Sequence, residues 1–109
     1  MIKNISKNTI LSNDHFYKTG LSKTKGLMLS KTARTLVFKT RFGIHTFFMQ
    51  FPIDLIILDD KMKVVFIKEH IKPNRITFWN PKYNLVIEMP IGSISTSKTN
   101  LGDVLDLHL

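Results

Sequence analysis

The chain is small and basic, with 109 residues, a formal net charge of +8 at pH 7 and no cysteine. This length is usual for one domain, so we expect a single domain over residues 1–109. Disulfides, thiolate zinc sites and cysteine nucleophiles are excluded because the sequence has no thiol. No apolar run approaches the roughly 20 residues that cross a bilayer, and residues 1–13 lack the apolar core of a secretory signal. We therefore expect a soluble, cytoplasmic protein without membrane contact.

The excess positive charge lies in the first part of the chain. Residues 1–41 hold nine Lys or Arg and one Asp, whereas residues 42–109 hold seven residues of each sign. This asymmetry has two interpretations: a face that binds phosphate-rich partners, or a lysine-rich surface that contacts only water. Phe38 and Phe42 lie among the cations and are candidate stacking surfaces for bases. The candidate basic patch comprises Lys23, Lys25, Lys31, Arg34, Lys39 and Arg41.

The first predicted elements are an N-terminal arm and a helix. The β-branched pairs within residues 1–12 indicate an edge strand or a hairpin arm. Residues 19–28 are the one helical candidate, because Leu21, Leu27 and Met28 share one face of a helix over that stretch. Two glycines within it lower its helical propensity.

Strands dominate the rest of the chain. The strongest signals are the apolar, β-branched runs at residues 53–58 and 64–67, which the turn residues 59–63 join into an antiparallel hairpin. The continuous apolar character of these runs predicts strands that are covered on both faces. Turn-forming residues separate further predicted strands at 35–38, 44–48, 75–78, 85–89 and 104–107. This pattern predicts a mainly β fold, a small antiparallel sandwich or barrel-like domain with one short helix near its N-terminus.

Several common catalytic and cofactor motifs are missing. The five glycines stand singly, so neither a dinucleotide fingerprint nor a phosphate-binding loop is present. No serine stands in a nucleophile elbow. The four histidines show no spacing typical of metal ligands. We therefore expect neither a metal nor a cofactor.

Three polar residues interrupt stretches that are otherwise typical of buried strands: His45, Asp54 and Glu88. A carboxylate or imidazole in such a place must be hydrogen-bonded, or its burial is strongly unfavourable. In one interpretation these residues gather in a polar pocket, with Arg75 as counter-charge and one carboxylate of shifted pKa. In the other, Asp54 bonds backbone amides at a turn after Pro52, and Glu88 lies on the solvent side of an edge strand.

Five blocks spread over about residues 20–107 carry a resemblance to a known family. They read KGLM at 25–28, GIHTFFMQFPIDLIILD at 43–59, IKPNR at 71–75, VIEMPIG at 86–92 and GDV at 102–104. In order and spacing the blocks resemble the family called domain of unknown function 192, also named uncharacterised protein family 0127. The resemblance implies a two-layered β-sandwich with one short helix near its start, and it implies no particular activity. The polar residues of these blocks include His45, Asp54, Arg75, Glu88 and Asp103.

The working hypothesis is a non-enzymatic β-sandwich module. It would bind a small ligand or a protein partner through the surface near His45, Asp54, Arg75 and Glu88. The first alternative is a basic nucleic-acid binder that uses residues 23–41, and salt-sensitive binding would favour it. The second alternative is an enzyme with acid-base chemistry at the same polar pocket, which requires the imidazole and the two carboxylates to converge.

Overall fold

The computed structural model describes residues 1–13, 16–17, 34–41, 43–47 and 49–107. The elements described are β1 (Ile2–Asn4), β2 (Thr9–Ser12), β3 (Phe16–Tyr17), β4 (Leu36–Lys39), β5 (Ile44–His45), β6 (Ile53–Leu58), β7 (Val64–Ile71), β8 (Ile76–Thr77), β9 (Leu85–Pro90), α1 (Ser93–Ser97) and β10 (Leu105–Leu107). The predicted mainly β fold is confirmed. Within these ranges no helix is both long enough and apolar enough to span a bilayer.

The centre of the fold is a five-stranded sheet in the order β3-β4-β9-β6-β7. Every residue of β6 is buried, and this is why its sequence is almost continuously apolar instead of alternating. The predicted hairpin between β6 and β7 is confirmed. Asp59 closes its turn, because Oδ1 accepts hydrogen bonds from the backbone N–H groups of Lys61 and Lys63, both at 2.9 Å.

A three-stranded antiparallel sheet in the order β10-β1-β2 covers one face of the central sheet. The first and last strands of the described chain pair here, with Ile2 opposite Leu107 and Asn4 opposite Leu105. Side chains from both sheets and from α1 form the first core: Ile2, Leu11, Val37, Ile56, Leu58, Val64, Leu85, Ile87, Met89, Ile94 and Leu105.

A two-stranded antiparallel ribbon of β5 and β8, here called the ribbon, packs against the opposite face. Ile44 of the ribbon contacts the second core, and its cross-strand partner Thr77 is buried beside it. The second core comprises Leu36, Phe38, Met49, Ile53, Leu55, Ile57, Ile71, Trp79 and Val86. Alternate residues of β4, β6 and β9 thus serve the two cores, as the pleat of a strand requires.

The ribbon strands are shorter than the predicted strands at 44–48 and 75–78. Each has two residues, because the chain turns at Thr46. The backbone carbonyl of Thr46 accepts a hydrogen bond from the N–H of Asn74 at 2.9 Å, and its hydroxyl donates to the carbonyl of Lys72 at 2.7 Å. These bonds replace the continued ladder that the apolar pattern predicts.

The structure describes a short helix that was not predicted from the sequence. The candidate at residues 19–28 is outside the described residues, and the helix that the structure describes is α1, near the C-terminal end. It follows Gly92, whose φ of 89° lies in the left-handed region. Its sequence, SISTS, contains three serines. Because serine is a weak helix former, one turn of this composition gives no helix signal.

Candidate functional site

Asp54 is a buried carboxylate that binds backbone amides. Its Oδ1 accepts a hydrogen bond from the N–H of His70 at 3.0 Å, and its Oδ2 accepts one from the N–H of Ile94 at 3.1 Å. His70 has a φ of 54°, so the carboxylate stabilises an irregular backbone near the end of β7 as well as the start of α1. The structure supports the amide interpretation of Asp54, although the amides belong to β7 and α1 and not to a turn after Pro52.

Glu88 lies on the other face of the central sheet. Its cross-strand neighbours are Leu36 of β4 and Leu55 of β6, and only 3% of the residue is exposed. In the described part of the chain, Oε1 of Glu88 has no hydrogen-bond partner. Burial raises the pKa of Glu88 to about 7, because the charged form loses its hydration. The solvent-side interpretation is wrong, since β9 is paired on both edges.

His45 and Arg75 lie at the surface of the molecule. The His45 ring stacks on the ring of Phe47, with centroids 5.1 Å apart and planes inclined by 25°. The guanidinium of Arg75 stays on its own loop, where Nη1 donates to the carbonyl oxygens of Pro73 and Asn74, both at 3.3 Å. Among the described residues, neither His45 nor Arg75 forms a side-chain hydrogen bond with Asp54 or Glu88.

The four residues of the predicted polar pocket therefore do not converge. Asp54 and Glu88 extend from opposite faces of the central sheet, while His45 and Arg75 are exposed. The acid-base pocket that the enzyme alternative requires is not formed by these residues. Nor are three His, Asp or Glu side chains grouped to hold a metal ion anywhere in the ranges that the structure describes.

The predicted basic patch is described in part. Three of its cations are described and exposed: Arg34, Lys39 and Arg41. The other three, Lys23, Lys25 and Lys31, lie outside the described residues. Arg41 reaches the loop before β9, because Nη1 donates to the carbonyl oxygens of Pro81 at 3.1 Å and Lys82 at 3.4 Å. Phe38 is buried in the second core and is no stacking surface; Phe42 is not described.

The outward side of the ribbon is an exposed, largely apolar surface. It consists of His45, Phe47, Ile76 and Phe78, which we call the ribbon face. The exposed fraction is 37% for Phe47, 52% for Ile76 and 70% for Phe78. His45 lies directly opposite Ile76, so both side chains project from the same side of the ribbon. Of these four residues His45 was predicted as a site residue, whereas Phe47, Ile76 and Phe78 were not.

Gly43 permits the close approach of Phe78 to the neighbouring strand. A Cβ at position 43 would lie 2.5 Å from the carbonyl oxygen of Thr77 and 2.9 Å from Cδ1 of Phe78, and the φ of Gly43 is +128°. Both the contact and the conformation require glycine. A residue without a side chain thus sets the geometry at the Phe78 end of the ribbon face.

A second polar cluster surrounds Asp103. Its Oδ2 accepts hydrogen bonds from Nδ2 of Asn4 at 2.9 Å, Nζ of Lys7 at 2.8 Å and the N–H of Asn100 at 2.9 Å. Burial alone would raise the pKa of Asp103, but the hydrogen bonds from Asn4, Lys7 and Asn100 and the charge of Lys7 outweigh it and lower the pKa. The cluster ties the β1–β2 turn to the turn before β10, which gives Asp103 a structural role.

Sequence comparison identifies the family of this small, mainly β domain. The profile of the DUF192 family, described as "Uncharacterized ACR, COG1430", matches residues 6–107. A UPF0127 protein from Pyrococcus horikoshii is 37% identical over 114 residues, which cover 94% of this chain and 95% of the relative. A UPF0127 protein from Pyrococcus abyssi is 34% identical over 99 residues, with 85% and 80% covered. The chain belongs to the DUF192 family, and the resemblance seen in its five blocks is confirmed.

A solved structure shares the fold. It is the crystal structure of a protein of unknown function from Novosphingobium aromaticivorans DSM 12444, with a TM-score of 0.74 and 17% sequence identity. The match covers 84% of this chain and 72% of that chain. At this level of identity the likeness concerns the fold alone.

Proposed function

We propose that the protein is a non-enzymatic binding module whose partner is another protein, bound at the ribbon face. The observation that carries the proposal is the exposure of Ile76 and Phe78, at 52% and 70%. Single exposed apolar residues are common on monomeric proteins, whereas contiguous ones mark interaction sites. His45 joins two members of the ribbon face, because it stacks on Phe47 and lies opposite Ile76. Phe78 is two residues from Ile76, the spacing that keeps side chains on one side of an extended chain.

Buried residues on the inner side of the ribbon hold the ribbon face in place. On the inner side of the ribbon, Ile44 packs against the second core and Thr77 is buried. The ends of the ribbon are fixed by the hydrogen bonds of Thr46 and by the close contact at Gly43. A preformed surface loses little conformational entropy when a partner binds, and this favours affinity.

The position of the exposed side chains favours a protein over a small ligand. Small-molecule sites are usually concave and bury most of the ligand, whereas the ribbon face is the outer side of a two-stranded ribbon. Exposed aromatic side chains are typical anchors in protein interfaces.

The cytoplasmic location expected from the sequence remains part of this proposal and is supported by the absence of cysteine.

A peptide-display selection tests the proposal. A random peptide library is selected on the wild-type protein, and the enriched peptides are measured by fluorescence anisotropy against the I76S/F78S double variant. The matched control is L101S, because Leu101 is 65% exposed and lies in the turn before β10. Circular dichroism checks that all variants keep the fold.

We expect the I76S/F78S variant to bind the selected peptides about thirtyfold more weakly, since loss of an apolar anchor costs about 2 kcal/mol. The L101S variant should bind them as the wild type does. Failure to enrich any peptide would overturn the proposal. So would peptides that bind I76S/F78S as tightly as the wild type.

A further inference from the structure

The two chain segments that contain the ribbon strands carry charge of one sign. The two segments that form the ribbon and its ends, residues 41–53 and 72–84, contain no Asp or Glu. They contain four exposed cations: Arg41, Lys72, Arg75 and Lys82. Among the described residues, no Asp or Glu forms an ion pair with any of these four cations. The ion pair that the described residues do form joins Lys7 to Asp103, in the polar cluster around Asp103.

These cations lie at the two ends of the ribbon. Lys72 and Arg75 are at the Thr46 end, because Oγ1 of Thr46 donates to the carbonyl of Lys72 at 2.7 Å and accepts the N–H of Arg75 at 2.8 Å. Arg41 precedes Gly43 by two residues and Lys82 follows Phe78 by four, so both flank the other end along the chain, and Nη1 of Arg41 donates to the carbonyl of Lys82 at 3.4 Å.

The guanidinium groups retain free hydrogen-bonding capacity. In Arg41 and Arg75 the bonds to backbone carbonyls use Nη1. A guanidinium has five N–H donors, and their planar arrangement matches a carboxylate. Near each end of the ribbon an arginine can therefore still donate hydrogen bonds to a carboxylate, and a lysine adds a second positive charge.

We propose that the partner bound at the ribbon face is an acidic, extended protein segment. Its carboxylates would lie at the two ends of the contact and its apolar side chains between them. This inference rests on the proposed binding function and names the partner of that same surface. Opposite charges at the rim fix the register of a segment and speed its association, while the apolar centre supplies contact area.

The ring contacts favour a protein over a nucleic acid. The four cations would attract phosphates as well, but base binding on such a surface depends on open aromatic faces. The stacking of His45 on Phe47 covers one face of each ring. Phe78 is left open, at 70% exposure, but nucleic-acid grooves stack successive bases on several open rings. Ile76, which lies opposite His45, offers a base no π-face and offers an aliphatic or aromatic side chain a direct contact.

Binding of designed peptides tests the inference. The probes are fluorescein-labelled peptides of alternating Leu and Ser with Glu at both ends, and the same peptide with Gln or with Lys in place of Glu; a labelled oligothymidylate represents nucleic acid. Anisotropy is measured at about 50 and 200 mM salt. The proteins are the wild type, the I76S/F78S variant, the K72Q/R75Q variant and the control K61Q/K63Q, which removes two exposed charges from the β6–β7 turn.

We expect the Glu peptide to bind the wild type about tenfold more tightly than the Gln peptide, from several exposed ion pairs of modest strength. This advantage should shrink at the higher salt concentration and in K72Q/R75Q, and should persist in K61Q/K63Q. Both the Glu and the Gln peptide should lose binding to I76S/F78S.

The outcomes separate the two proposals. Equal binding of the Glu, Gln and Lys peptides, lost in I76S/F78S, overturns the acidic partner and leaves the binding module in place. Tighter binding of oligothymidylate than of the Glu peptide, weakened in K72Q/R75Q, assigns the surface to nucleic acid and overturns the inference. No binding of any probe contradicts the proposed function as well.

Discussion

Asp54 and Glu88 lie on neighbouring strands one register step apart, with Asp54 opposite Met89 and Leu55 opposite Glu88, and their side chains leave the central sheet on opposite faces. Both are buried within apolar strands. The carboxylate of Asp54 is stabilised by two amides. Glu88 instead has apolar cross-strand neighbours, and its Oε1 finds no hydrogen-bond partner among the described residues. The two carboxylates therefore contribute to stability in different ways.

The variant E88Q should remove a pH dependence from the stability of the fold. Because burial raises the pKa of Glu88 from 4.5 to about 7, the folded state retains a proton that the unfolded chain releases. The stabilising contribution of this proton is complete below pH 4.5 and is lost as the pH rises through 7. Relative to wild type, E88Q should gain up to about 3 kcal/mol between pH 5 and pH 8. Urea unfolding at both pH values measures this gain.

E69Q is the matched control for this experiment, because Glu69 is exposed on β7. E69Q should not reproduce the gain of E88Q, because the side chain of Glu69 stays hydrated in the folded protein. An E88Q variant whose stability tracks the wild type from pH 5 to pH 8 would show that Glu88 is already charged in the folded protein.

The variant D54N should destabilise the fold. An asparagine offers one oxygen, so either the N–H of His70 or that of Ile94 loses its acceptor and meets an NH₂ group instead. A buried donor without a partner costs about 1–3 kcal/mol. Urea unfolding at pH 7 measures this loss, with D60N in the exposed part of the β6–β7 turn as control. Equal stability of D54N and D60N would rule out a structural role for the two amide bonds.

Asp103 should contribute to stability in the opposite pH range to Glu88. Its pKa is lowered from 3.8, so its contribution is present above that value and is lost as the pH falls through the pKa of the folded state. At pH 7, D103N should be less stable than the wild type by about 2 kcal/mol, because Asn4 and Lys7 lose a charged acceptor. The difference should narrow below pH 4 in acid-unfolding experiments. A constant difference at all pH values would refute this assignment.

Gly43 and Gly92 provide a matched pair of glycine variants. Both have a positive φ, of +128° and +89°, but a Cβ meets nothing within 4 Å at Gly92, whereas it clashes with Thr77 and Phe78 at Gly43. The variant G92A should cost about 1 kcal/mol from backbone strain, and G43A should cost about 3 kcal/mol because overpacking is added to strain. Thermal unfolding compares them. Similar costs for the two variants would mean that the contact at Gly43 is easily relieved.

The strands of the central sheet could be predicted from the sequence because their signal is local. β6 has the predicted bounds and β9 differs by one residue from its prediction, since continuous apolar runs between turn residues identify strands covered on both faces. The burial of Glu88 could not be predicted in the same way. A glutamate within an apolar run is compatible with an exposed edge, and only the strand order places β9 between two neighbours.

The ribbon face was missed for a related reason. In the predicted strand at 44–48 both alternating faces carry apolar residues, with Ile44 on one side and Phe47 on the other. In the strand at 75–78 the alternation would turn the apolar Ile76 and Phe78 toward the core, whereas the structure exposes both of them. Which face meets the core depends on tertiary packing. The sequence nevertheless marks these segments as unusual in charge, because residues 41–53 and 72–84 contain no Asp or Glu.

The pairing of β1 with β10 has a consequence for how the protein folds. Ile2 and Leu107 are partners, so the three-stranded sheet must join positions about a hundred residues apart, and closing so long a loop opposes early formation of this contact. The β6–β7 hairpin, joined by a short turn, has no such barrier. In hydrogen-exchange labelling during refolding, we expect the amides of the β6–β7 hairpin to become protected first. The amides of residues 2–4 should become protected last, when β1 pairs with β10.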